Sequence, residues 1–462
     1  METVKKPNCG ARLDRLPDSK WHWEMFGIVA FALLVCWSNA IGGLVTAQLK
    51  ELGWTDNTLT ATFTSLTTAG MFAGALFGGI IGDKIGRKKS IILFELIHII
   101  SMLAGACSPN MIFLIACRFV MGFGLGALLT TLFAGFTEYM PGRNRGTWSS
   151  RISFIGNWSY PVCSLIALGL TAWVSPQLNW RLQFIIPSIL SIIATWIAYK
   201  KFPESPRWLE AQGRYDEAEA VMSDIEKRVE EATGEKLEPV EEVETKEAAK
   251  SLPYSALLHG ELLKRVIVGS FVLIAMNVVQ YTLINWLPTI FLTQGINLKD
   301  SIVLNTMSMF GAPFGIFIAM LVMDKIPRKI MGSGLLILIA VLGYIYSLQT
   351  DLTMITIIGF FLITFVYMYV CYASAVYVPE IWPTEAKLRG SGLANAVGRI
   401  SGIIAPYIVA SLLSSSGVTG VFLFLGGVSI VVAIVIVVMG VESRGESVEE
   451  IGGVDNTGKE TA

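Results

Sequence analysis

The chain has 462 residues, 53% of them hydrophobic and only 15% charged, where a soluble domain carries about 25% charged residues. That deficit excludes a string of soluble domains and marks a membrane protein. A net charge of −1 gives no reason to expect a nucleic-acid partner, and the six cysteines (Cys9, Cys36, Cys107, Cys117, Cys163 and Cys371) form no CxxC pair that would indicate a metal site or disulfide framework.

Residues 1–24 are polar or mixed, with Asp14, Arg15 and Lys20 among them, and are expected to be a cytoplasmic segment rather than a cleavable signal. Twelve apolar runs follow, each near the roughly 20 residues that a membrane helix needs. They cover 25–48, 58–81, 90–107, 111–137, 147–174 and 182–201, then 265–291, 302–323, 330–349, 353–378, 388–412 and 418–441. The intervening 202–264 is acidic and helix-prone ("YDEAEAVMSDIEKRVEEATGEK") and reads as a cytoplasmic linker with short helices. The predicted organisation is thus a six-helix bundle over 25–201, the linker, a second bundle over 265–441 and a cytoplasmic tail over 442–462. The fold class is all-α, with twelve transmembrane helices.

Short loops give the orientation, because cytoplasmic loops carry the excess of Lys and Arg. One set holds Lys84, Arg87, Lys88, Lys89, Arg143, Arg145, Lys325, Arg328, Lys329, Lys387 and Arg389; the other holds Lys50, Arg181 and Lys299. Eleven against three places both termini and the linker in the cytoplasm.

Polar landmarks recur between the halves. "GDKIGRKK" (82–89) and "MDKIPRKI" (323–330) lie 241 residues apart. Glu138-x-x-Pro141 recurs as Glu380-x-x-Pro383, Arg145-Gly146 as Arg389-Gly390, and Glu204-Ser205 as Glu442-Ser443, at offsets of 242, 244 and 238. A repeat of six spans preserves topology, so the halves are parallel repeats about an axis along the membrane normal. Proteins built this way bind their solute near the midplane, between the repeats.

These residues also carry a resemblance. Gly79-x-x-Gly82-Asp83-Lys84-x-Gly86-Arg87-Lys88 resembles the loop signature of the major facilitator superfamily, and Arg118-x-x-x-Gly122-x-x-x-Gly126 resembles its fourth-span motif. "PESPRWL" (203–209), Glu138…Arg145 and Glu380…Arg389 are similar to the sugar-porter-like branch. "YVPEIWPTEAKLRGSGLANAVGRISG" (377–402) is similar to bacterial metabolite:proton symporters, among them nicotinate and aromatic-acid carriers. The resemblance covers essentially the whole chain and implies the major facilitator fold, a bacterial inner-membrane location and alternating access.

The charged loops supply candidates for gating: Asp83, Arg87, Arg118, Glu138, Arg145, Glu204 and Arg207 in the first half; Asp324, Arg328, Glu380, Arg389 and Glu442 in the second. Asp83 is placed to face a helix N-terminus, where an anion meets free N–H groups; the resemblance puts that partner in span 11 near Arg389 and Gly390. Matched acids and bases are expected to pair when the cytoplasmic mouth shuts. The plainer alternative is a set of solvated, topology-setting charges worth about 0–1 kcal/mol per exposed pair.

Candidates for substrate binding lie inside the spans. Arg399 is about 15 Å into span 11 at 1.5 Å per residue, where a guanidinium is costly unless used. It shares a stripe with Ser391 and Asn395 and could clamp a carboxylate in bidentate fashion. Span 7 offers Asn277, Gln280, Tyr281 and Asn285; span 5 offers Phe154, Asn157, Trp158 and Pro161; span 10 offers Tyr369 and Tyr372. Each set has an alternative role in helix packing. Symporters of the family typically carry an Asp in span 1; Asn39 stands there and cannot titrate, although it could hydrogen-bond Arg118 of span 4. Two alternatives stay open: a facilitator, or a symporter coupled to a proton through another group, with Glu95 and His98 of span 3 as titratable candidates.

No GxxxxGK[ST] loop is present, so ATP is not expected to drive the protein. No metal, cofactor or catalytic residue is expected, because the chain has only three His, far apart. The function expected is secondary active or facilitative transport of a small polar organic metabolite by a monomer, leaning to an organic, aromatic or otherwise, acid. A sugar or polyol transporter and a non-transporting nutrient sensor are the alternatives.

Overall fold

The computed structural model describes residues 7–239, 254–323, 325–383 and 386–442. All regular structure among them is helical. Eleven helices there are long and apolar enough to cross a membrane. They match spans 2 to 12 of the sequence: Asn57–Ile85, Arg87–Ala106, Met111–Tyr139, Arg145–Thr171, Pro176–Lys201, Gly260–Thr293, Leu298–Val322, Arg328–Ser347, Leu352–Glu380, Arg389–Ser415 and Gly417–Met439.

Span 1 differs from the continuous helix expected over 25–48. It is two helices, Lys20–Val35 and Gly42–Glu51. The break falls on Cys36-Trp37-Ser38-Asn39-Ala40-Ile41. Ser and Asn side chains compete for the helical backbone, and two glycines follow at once. Backbone groups freed inside a membrane need other partners. The Trp37 indole donates to the Leu34 carbonyl, and the fully buried Arg118 of span 4 donates to the Ser38 carbonyl.

The chain divides into two compact units. The first holds Met1–Asn39, Gly70–Ser159 and Phe184–Lys246. Its core gathers Trp21, Met25, Phe94, Phe136, Trp148 and Phe202. The short helix Cys9–Asp14 lies against Tyr215–Thr233, an amphipathic helix of the linker. Arg12 binds Glu219 and Glu226 at 2.5 and 2.7 Å, and Arg15 binds Glu226 at 2.5 Å. Burial alone would raise the Glu226 carboxyl, but the two guanidiniums hold it below the usual carboxylate range.

The second unit holds Ala40–Ala69, Tyr160–Gln183 and Glu247–Ala462. Pieces of the first six spans are therefore interlocked with spans 7 to 12 inside it. Gly43 faces the Ile284 and Asn285 carbonyls of span 7 so closely that a Cβ would lie 2.5 and 2.9 Å from them. The Asn57 amide donates to Ser414 Oγ at 2.9 Å, and the Asn305 amide to Ser164 Oγ at 3.2 Å.

The repeat is written into the helix seams. Gly70 of span 2 meets the Phe119 carbonyl and Phe123 amide of span 4; Gly311 of span 8 meets the Phe360 carbonyl and Thr364 amide of span 10. Gly74 meets the Phe123 carbonyl, and Gly315 the Thr364 carbonyl. Each residue and its copy are 241 apart (311 − 70, 360 − 119, 315 − 74, 364 − 123). Small residues let these backbones touch, which is the chief source of helix association in lipid. Ala at Gly74 or Gly315 is expected to lower stability by about 1–3 kcal/mol through overpacking. Ala at Gly79, where a Cβ meets nothing within 4 Å, should be neutral. Thermal melts of purified protein check this; equal melting of Gly74→Ala and Gly79→Ala would remove the seam argument.

Candidate functional site

Two charged clusters lie at corresponding places in the two halves. In the first unit, Arg87 opens span 3 and directs Nε and Nη2 to Glu138 Oε1 at 2.9 and 2.8 Å. Glu138 belongs to the last turn of span 4. Arg87 Nη1 also reaches Asp83 Oδ1 at 2.7 Å, and the Asp83 side chain is largely exposed. Glu204 accepts from the N–H groups of Arg87 and Lys88 at 2.6 and 3.1 Å, so a carboxylate caps the N-terminus of span 3. Gly86 makes room for that cap: its φ is +98°, and a Cβ there would strike Glu204.

The second unit repeats the arrangement. Arg328 opens span 9 and forms a two-point pair with Glu380, Nε to Oε2 at 2.9 Å and Nη2 to Oε1 at 3.1 Å. Glu442 accepts from the N–H groups of Arg328 and Lys329 at 2.7 and 3.1 Å. Pro327, 241 residues after Gly86, precedes this helix instead of a glycine. Asp324 lies outside the described residues.

The remaining gating candidates take other partners. Arg207 donates to the Glu138 carbonyl at 3.0 Å and to Asp14 at 2.9 Å, while Arg145 lies 3.7 Å from Asp14. Arg389 stacks over the Tyr254 ring at 5.2 Å. In this state, then, Glu138 and Glu380 are bound by Arg87 and Arg328, which begin the preceding odd-numbered spans.

Inside the second unit, Arg399 Nη1 meets the Tyr281 hydroxyl at 3.3 Å. The two are half-buried, as is Gln280. Tyr367 of span 10 carries this polar patch further: Tyr160 packs on it with ring centroids 5.5 Å apart, and Gln280 faces its hydroxyl. Neither Tyr160 nor Tyr367 stood out in the sequence, because no stripe of polar neighbours marks them. Asn277 is buried beside Gly398 and donates back to the Leu273 carbonyl at 2.7 Å. Asn395 is exposed and donates to Ser391. Tyr372 is fully buried, stacked on Tyr377 and set against Gly332.

In the first unit, Asn157 donates back to the Ser153 carbonyl at 2.7 Å, and Trp158 is partly exposed against Phe154. Asn39 sits in the break of span 1, one residue after the carbonyl that Arg118 holds. His98 Nε2 lies 2.9 Å from the Ser38 hydroxyl at that same break. Cys36 Sγ, a Glu95 carboxylate oxygen and a His98 ring nitrogen lie within 4.8 Å of one another, all buried.

The family model described as "Sugar (and other) transporter" matches residues 23–454. The Escherichia coli (strain K12) protein YdjK is 76% identical over 451 residues, 98% of either chain. The "inner membrane metabolite transport protein YdjE" of the same organism is 44% identical, over 96% of this chain and 98% of its own. The "niacin transporter NiaP" of Acinetobacter baylyi is 26% identical, over 96% and 99%. Among solved structures, a partially occluded inward-open conformation of the Escherichia coli xylose transporter XylE superposes with a TM-score of 0.73 at 16% identity, covering 93% of this chain and 100% of that one.

Proposed function

We propose, for a chain that belongs to the sugar (and other) transporter family of the major facilitator superfamily and is a metabolite transporter, that the cargo is a small organic acid held by Arg399. The observation that carries this is an uncompensated cation. Arg399 lies within an apolar span, and among the described residues its polar partner is a neutral phenol, Tyr281, with no carboxylate paired to it. A guanidinium at membrane depth favours an anion, and a carboxylate fits its fork in two-point fashion. Tyr160 and Tyr281, both half-buried, add ring faces that suit an aromatic acid, in keeping with a relative named as a niacin transporter. Transport proceeds by alternating access across the bacterial inner membrane, where a relative is named as residing.

A sugar is the second reading, favoured by the family description and by the amides of Asn277 and Gln280. Binding separates the two. Purified protein is titrated with nicotinate, benzoate and xylose, following tryptophan fluorescence. The acids are expected to bind, and Arg399→Gln to weaken them at least about tenfold, since a charge-assisted hydrogen bond is worth about 1.5–3 kcal/mol. Xylose binding that Arg399→Gln leaves unchanged, with no response to the acids, rejects the organic-acid reading. Binding of an acid without flux in liposomes would instead identify a sensor.

A further inference from the structure

Span 3 carries two buried ionisable side chains that neither the charged clusters nor the Arg399 patch uses. Glu95 is 3% exposed and His98 is 0% exposed. Three residues apart on a helix, they share a face. Both Glu95 carboxyl oxygens and His98 Nδ1 are buried without a hydrogen-bond partner among the described residues. The other imidazole nitrogen is engaged at the break in span 1, through the Ser38 hydroxyl.

The surroundings define what the pair can do. From span 1 it is faced by the Cys36 thiol and Ser38, from span 4 by the guanidinium of Arg118 and the backbone of Gly124, and from span 6 by the Ser191 hydroxyl. Among the described residues, Arg118 and Cys36 are the charged and titratable groups there. A carboxylate faced by no donor but a serine hydroxyl cannot remain alone in such a place; it holds a proton, or borrows one from a neighbour. With one proton between them, Glu95 and His98 are neutral as a pair. With none, the pair carries one negative charge, which Arg118 balances. Arg118 opposes a divalent cation at the same spot.

We propose that Glu95 and His98 together form the proton-binding site that couples this transporter to a proton gradient. One proton enters the pair from water on one side and leaves on the other. Its arrival and departure change the bond that His98 makes to Ser38, hence the setting of the broken first span. No other bond is made or broken. Asn39, the neighbouring residue, has no proton to give.

The inference rests on the transport reading for its use, but protonation is measurable without any substrate. Infrared difference spectra of the full-length protein in lipid, recorded between acid and alkaline pH, are expected to show the carbonyl stretch of a protonated carboxyl that titrates. Glu95→Gln should abolish that band, Glu95→Asp and His98→Asn should shift its titration, and Cys36→Ala should leave it. Size-exclusion profiles establish that each variant is folded. A band that persists in Glu95→Gln, or one that His98→Asn does not move, overturns the proposal. So does stoichiometric zinc binding that Cys36→Ala removes. In liposomes with an imposed pH gradient, Glu95→Gln should lose gradient-driven nicotinate accumulation while retaining nicotinate exchange. A titrating Glu95 band in a protein that carries no nicotinate would count against the transport of that acid and not against the site.

Discussion

Gly43→Trp is expected to abolish net transport while leaving the protein folded. Gly43 is the second residue of the second helix of the broken first span, and its Cα hydrogen faces two carbonyls of span 7. A Cβ would lie 2.5 Å from the Ile284 oxygen and 2.9 Å from the Asn285 oxygen, and neither belongs to a side chain that could turn aside. The contact joins the first six spans to the last six within the second unit, at the end that the loop charges assign to the outside of the cell. The alternating access proposed for this chain requires that contact to open and close. An indole wedged there penalises the closed form alone, and about 5.5 kcal/mol suffices to move a two-state equilibrium from 99:1 to 1:99. The variant should therefore dwell with its outer mouth open. Thr289, fully buried one helical turn from Asn285, reports it: in a Thr289→Cys background, Gly43→Trp should make the thiol reactive to an impermeant reagent added outside intact cells. Wild-type flux, or a thiol that stays protected, would show that this seam does not have to part.

The sequence makes the twelve apolar runs plain, because length and hydropathy are local quantities. It also displays the duplication, through acids and bases that recur about 240 residues apart. Partners were harder to read. Glu138 and Arg145 are near neighbours in the chain, yet Glu138 is bound by Arg87, 51 residues earlier. The last turn of span 4 returns beside the first turn of span 3, and no local spacing records that. The break in span 1 was hidden for a related reason. Its composition suits a continuous membrane helix, and the interruption at Ser38-Asn39 is tolerated because Arg118, 80 residues away, satisfies the Ser38 carbonyl. The Gly70–Phe119 and Gly311–Phe360 seams escape a reading of the sequence, because which backbones touch depends on how the spans pack. Arg399 and Tyr281 were visible as lone polar residues in apolar spans. That Tyr160 and Tyr367 lie with Gln280 depends on how spans 5, 7 and 10 pack.

Glu380→Ala is expected to destabilise the protein more than Glu138→Ala does. Both remove an acid from a matched cluster, so the difference lies in the cation left behind. The Arg328 side chain is 6% exposed and that of Arg87 15%. Arg328 uses two nitrogens on two carboxylate oxygens, whereas both Arg87 contacts fall on one oxygen of Glu138 and the other oxygen has no hydrogen-bond partner among the described residues. Removing one member of a buried pair costs about 3–5 kcal/mol, because the remaining charge must stay out of water; a partly exposed pair loses far less. The melting point of Glu380→Ala in detergent should therefore fall several degrees below that of Glu138→Ala. The exchange Arg328→Glu with Glu380→Arg should recover part of the loss, since the attraction survives even though the cap on span 9 meets an acid. If the two alanine variants melt together, burial of the arginine does not decide the matter, and the clusters are as solvated as surface ion pairs.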